Sequence, residues 1–147
     1  MRDVVNDIRS SVQLAVDNST FIFGRSFDTA LDSIHSTSAN VLVYLDPVQW
    51  NGNLNDSFEN AQIQMVFLTQ DAADSNFDET QNEIEADSTE EIFRLMKKDA
   101  ETWLNYFNDN YSYYQLSNYT MIPAIKIKNV CSGVFVQFTL TYKKPCD

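Results

Sequence analysis

An α+β fold, with helices packed on one face of a mainly antiparallel sheet, follows from three features of this 147-residue chain. The first is Gly133 to Tyr142, where Val134, Val136, Phe138, Leu140 and Tyr142 alternate with Phe135, Gln137, Thr139 and Thr141. A period of two in β-branched and aromatic residues is a strand with one buried face. The second is an opening segment with a helical period. The third is an apolar stripe of helix length between two pairs of strand-like segments. The order predicted is helix, two strands, long helix, two strands, in one domain covering 1–147.

Residues 2–17 carry Val4, Ile8, Val12 and Ala15 at spacings of four, four and three, which makes an amphipathic helix ended by Asn18, Ser19 and Thr20. Phe21, Ile22 and Phe23 suit a short strand over 20–23, and the polar stretch beyond Gly24 reads as a connector. Val41 to Val48 is the continuous apolar run of a central strand, stopped by Asp46-Pro47. Asn51-Gly52, inside Trp50 to Ser57, reads as a turn. Phe58 to Thr69 alternates again, so 41–48 and 58–69 form an antiparallel hairpin. Residues 70–87 are strongly acidic and read as an exposed loop or insertion, because like charges resist packing. Ser88 to Glu91 has the pattern of a capping box. The helix it opens presents Ile92, Leu95, Met96, Trp103, Leu104 and Phe107 on one face to about residue 108. The Asn/Tyr-rich stretch 108–119 is a connector, and Thr120 to Lys128 is a strand whose Pro123 suits an edge.

Composition excludes several function classes. A net charge of −11 repels nucleic-acid phosphates and anionic lipid, so neither a DNA reader nor a membrane-surface protein is expected. There is no apolar run long enough to span a bilayer and no secretory pattern in the first twenty residues, which suggests a cytoplasmic chain. Cys131 and Cys146 flank the last strand and would lie roughly 40 Å apart along it. No bridge between them is expected, and two free thiols fit a reducing compartment.

Sites of chemistry are sparse. Asp74, Asn76, Asp78 and Glu85 occupy positions 1, 3, 5 and 12 of a calcium-loop template, but Glu79 stands where that loop needs glycine. A solvated acidic loop is the simpler reading. Tyr106, Phe107, Tyr111, Tyr113, Tyr114 and Tyr119 cluster in sequence; without a cationic groove they suit packing or a protein interface better than base stacking. His35 is the single histidine and forms neither a catalytic pair nor a metal site. Gly24, Gly52 and Gly133 are too scattered for a phosphate loop, and no carboxylate pair stands out from the general acidity. Neither an enzyme nor a cofactor is expected.

The order of the segments resembles small neck and tail-completion proteins of tailed bacteriophages, especially those of Bacteroidetes hosts. The likeness runs through the opening helix, Phe23-Gly24-Arg25, Leu45-Asp46-Pro47, the passage Met65 to Ser75, the long helix, the closing alternation and Pro145-Cys146. The chain differs from that pattern in a longer acidic insertion around 76–87. The resemblance implies a tail-terminator-like fold that forms a six- or twelvefold ring in the virion, as a tail terminator or head-tail connector assembled in the host bacterial cytoplasm. Its partners would be neighbouring portal, connector or tail proteins, with no membrane involved. DNA would pass through the channel without specific binding, since acidic walls repel phosphate. Candidate subunit contacts are Arg25, Tyr111, Tyr113, Tyr114, Phe135, Gln137, Thr139 and Thr141. The alternative is a small calcium- or glycan-binding module using the acidic loop and the tyrosines.

Overall fold

A computed structural model describes residues 3–24, 41–70, 81–127 and 131–144. Arg25, His35, Asp74, Asn76, Asp78 and Cys146 lie outside these, so the readings placed on them do too.

The chain is α+β. Among the described residues it has two α-helices and a seven-stranded, mostly antiparallel mixed sheet. α1 (Val4–Ala15) begins where Asp3 accepts the Asn6 amide at 2.9 Å, and it ends before Asn18, whose φ of 53° reverses the chain. β1 (Ser19–Phe23) runs parallel to β2 (Val41–Leu45), which stops at Asp46-Pro47 as expected. β3 (Gln49–Gly52) and β2 lie one after the other along the same edge of β4 (Phe58–Gln70). α2 (Gln81–Asn110) is followed by β5 (Tyr114–Leu116), β6 (Thr120–Ile127) and β7 (Cys131–Lys143).

β4 and β7 form the spine, antiparallel from Phe58↔Lys143 to Gln70↔Cys131. Each spine strand has an outer neighbour in two pieces, β2 then β3 along β4, and β6 then β5 along β7. Pro123 sits in β6, whose partner is β7, so its missing N–H leaves no gap in a central ladder.

Both helices cover the same face. Val4, Ile8 and Val12 of α1 and Met96, Ala100, Trp103 and Phe107 of α2 bury against Val43, Ile63, Met65, Phe67, Val136, Phe138 and Leu140. Each large side chain removed from water here contributes about 1.5–3 kcal/mol. Trp103 is the centre. Its ring lies 6.2 Å from Phe67, 5.3 Å from Phe107 and 5.6 Å from Phe138, and its indole N–H donates to Ser11 Oγ at 2.8 Å. Ser11 in turn donates to the Ile8 carbonyl at 2.7 Å, so this buried polar pair is satisfied.

The structure corrects several sequence-based expectations. Asn51-Gly52 is strand rather than turn, and the reversal lies at 53–57, held by Asn53 and Asp56 side chains. Helix α2 begins at Gln81, so residues 81–87 are not loop and Ser88 to Glu91 lies inside the helix instead of capping it. Abundant Gln, Glu and Ala favour helix despite the like charges. Glu85 therefore belongs to α2, not to a calcium loop. Leu95 is 51% exposed, because its neighbour Met96 takes the inward position a helical step away. Residues 109–110 extend the helix, and the expected connector contains β5. No described helix is long and apolar enough to cross a membrane.

Candidate functional site

The face of the sheet turned away from the helices changes character along its length. At one end Leu42, Tyr44, Val66, Leu68 and Ala124 are buried, with Ile22 and half-buried Phe135 packed against them. At the other end the register places Gln64 beside Gln137, Gln62 beside Thr139 and Asn60 beside Thr141. Gln137 is exposed and Thr139 and Thr141 are half-buried, with Thr141 Oγ1 donating to Asn60 Oδ1 at 2.7 Å.

A groove of about 570 Å³ crosses this polar half. Its origin lies in the two-piece outer strands. β2 gives way to β3 at Asp46–Val48, beside Ile63 and Gln64 of the spine, and β5 gives way to β6 at 117–119, beside Phe138 and Thr139. Because Ile63 pairs with Phe138, both outer neighbours are interrupted at the same level. The breaks are ordered: the Asp46 amide donates to Gln64 O at 3.0 Å, the Ser117 amide to Thr139 O at 2.9 Å, and the Thr139 amide to Ser117 Oγ at 2.8 Å.

Beside Pro47, Ile63 and Phe138, most of the residues lining the groove are neutral hydrogen-bonding groups: Gln49, Gln62, Gln64, Asn118 and Gln137 as carboxamides, Ser117 and Thr139 as hydroxyls. Asp46 is the one charged residue among the described lining, and burial raises its carboxyl above the usual carboxylate range. Burial, and then the charge of Asp46, also push the Tyr44 phenol up. Such a surface can make many hydrogen bonds without favouring either sign of charge. Among the described residues no cluster of His, Cys, Asp and Glu is set to hold a metal.

The tyrosines form a second constellation. Tyr114 (4% exposed) donates to Asp7 Oδ2 at 2.6 Å, and Tyr113 donates to the same oxygen at 2.9 Å. Tyr142 donates to Glu59 Oε2 at 2.7 Å and also bonds the Trp50 side chain. Burial first, then the carboxylate hydrogen bonds, hold the Tyr114 and Tyr142 phenols far above their ordinary range. Tyr111 and Tyr114 both stack on Phe107, at 4.8 and 5.4 Å. The network fastens α1, the end of α2, β5 and the spine together.

Tyr114 is accordingly a core residue, too deeply buried to serve as the expected subunit contact. Tyr111 is half-buried, and Tyr113 is exposed with its hydroxyl committed to Asp7. Phe135, Gln137, Thr139 and Thr141 share the face away from the helices, with Phe135 drawn into the apolar cluster. Asp46, Gln49, Gln62, Gln64, Ser117 and Asn118 were not anticipated. The signal was present in part: Gln62 and Gln64 alternate with Ile63 and Met65 as Gln137 and Thr139 alternate with Phe138. Neither a family model nor a curated protein matches the chain.

Proposed function

We propose that this chain is a non-enzymatic structural subunit of a tailed-bacteriophage virion, a component of a ring at the head-tail neck or tail end, as tail terminator or head-tail connector. The observation that carries the reading is the groove-bearing sheet face. Its neutral amides and hydroxyls are directed away from the protomer's own helices and are suited to hydrogen bonding with another folded surface. The resemblance in element order supplies the class of assembly, and a closed ring requires heterologous contacts between copies. Neighbouring portal, connector or tail proteins are the further partners, and DNA passes through without specific binding. Electron microscopy of the purified chain tests the ring directly. Thr139→Glu places a second acidic group in the groove, among its neutral amides and hydroxyls, and is expected to block assembly while leaving the far-UV and near-UV circular dichroism unchanged. Normal rings from that variant would remove the groove from the interface.

A glycan-binding module is the second reading, favoured by the same amides and hydroxyls, which match sugar hydroxyl groups. The tyrosines give it less support than their number suggests, since Tyr111 and Tyr114 spend their rings on Phe107. A glycan array without signal would eliminate it.

A further inference from the structure

Two apolar spots stand at opposite ends of the molecule. One is the β3–β4 hairpin. Leu54 at its apex is 99% exposed, Trp50 is 48% exposed and Phe58 is 51% exposed. The register places Trp50 beside Ala61 on the helix side and Phe58 beside Lys143 on the other, so the hairpin offers apolar groups on both faces and at its tip. The turn behind Leu54 is held firmly. Asn53 Oδ1 accepts the Asn55 amide at 3.0 Å, Asn53 O accepts the Asp56 amide at 2.9 Å and Lys144 Nζ at 2.6 Å, and Ser57 O accepts the Lys144 amide at 2.7 Å. A pre-ordered apolar knob loses little entropy when it docks.

The other spot is on α2, where half-exposed Leu95 lies in a hollow of about 470 Å³ with Glu90, Glu91 and Arg94. Arg94 pairs with Glu90 at 3.7 Å, leaving Glu91 as the free acid of the rim among the described lining. α2 runs from this hollow past Trp103, at mid-spine beside Phe138, to Phe107 beside Tyr114 at the hairpin end. Leu95 is therefore set back from Trp103 by about 12 Å of helix, away from the hairpin.

We propose that the two spots bind each other between neighbouring copies, Leu54 entering the hollow against Leu95 and Lys143 facing Glu91. Charge selects the partner. In a chain of net charge −11, Lys143 and Lys144 form a basic pair beside the tip, and the hollow presents acid. Because the surfaces differ and lie at opposite ends, the contact is heterologous and propagates from copy to copy. It rests on the assembly reading above and adds to it a second contact, separate from the groove.

A photo-crosslinking amino acid placed at position 54 of the full chain, mixed with isotopically labelled copies, tests the contact. Mass spectrometry is expected to find cross-links between copies that map to α2 around Leu95. Leu54→Glu weakens self-association at least about tenfold. Lys143→Glu also weakens it, and adding Glu91→Lys in the same chain restores it. Cross-links between copies that map elsewhere, or a charge swap that restores nothing, overturn this contact and leave the assembly reading standing. A wild-type chain that remains monomeric at high concentration overturns both.

Discussion

Replacing Gly133 by alanine tests the spine where it is tightest. A Cβ built there falls 1.8 Å from the Phe67 carbonyl oxygen, 2.8 Å from its carbon and 3.0 Å from Leu68 Cα. These atoms are the backbone of the neighbouring strand, so no side-chain rotation relieves the overlap. β7 must move away by more than an ångström, at the pair Leu68↔Gly133. Overpacking of this kind costs about 1–3 kcal/mol, a disrupted ladder hydrogen bond adds about 1, and the stiffer unfolded chain returns about 0.4–1. The expected net loss is about 1–3.5 kcal/mol, or a Tm lower by roughly 3–12 °C for a domain of this size. Gly52→Ala is the control, because its added Cβ comes no closer than 3.6 Å to any neighbour, an ordinary contact. Urea unfolding at equilibrium, read by tryptophan fluorescence, measures both variants. Equal midpoints for Gly133→Ala and wild type would refute the close approach.

Two further outcomes concern the helical layer. Ser11→Ala removes the acceptor of the buried Trp103 indole N–H and is expected to destabilise the fold by about 1–3 kcal/mol. The effect should largely disappear in a Trp103→Phe background, which a double-mutant cycle of urea unfolding would show. Asp99 has its carboxyl raised above the usual 3.8 by burial, with Lys98 lowering it and Asp17 raising it further. The folded state then holds that proton more tightly than the unfolded state, so stability is lost as pH rises from 3.8 through the folded value. Asp99→Asn should be more stable than wild type at neutral pH, with the advantage shrinking in acid; a variant less stable at neutral pH contradicts this.

The parts of the fold legible in the sequence were those with a repeated period. α1, β4 and β7 declared themselves because every second or every third to fourth side chain enters one core. The Asp46-Pro47 stop was legible from proline chemistry alone. What was missed depends on partners far away in sequence. Asn51-Gly52 has turn composition, yet pairing with Asn60 and Glu59 draws it into β3. β5 has three residues and no period of its own, and its register with Tyr142 to Leu140 defines it. The parallel pairing of β1 with β2 leaves no local trace. The groove was hidden for the same reason, since it exists only because two interruptions, more than sixty residues apart, meet across the pair Ile63↔Phe138.

The order in which the spine is made also matters to the cell. β7 is the last described strand to leave the ribosome, yet it is the strand on which β4, β5 and β6 all pair. Until it emerges, β4 has one whole edge unpaired, and Ile63, Met65 and Phe67 face helices with half their sheet missing. Closing a ladder between such distant segments carries a large loop entropy before any contact repays it, so the fold has high contact order and forms slowly. The nascent chain therefore carries an adhesive strand edge from the emergence of β4 to that of β7, and its yield depends on how well that edge is shielded until residue 143 is free.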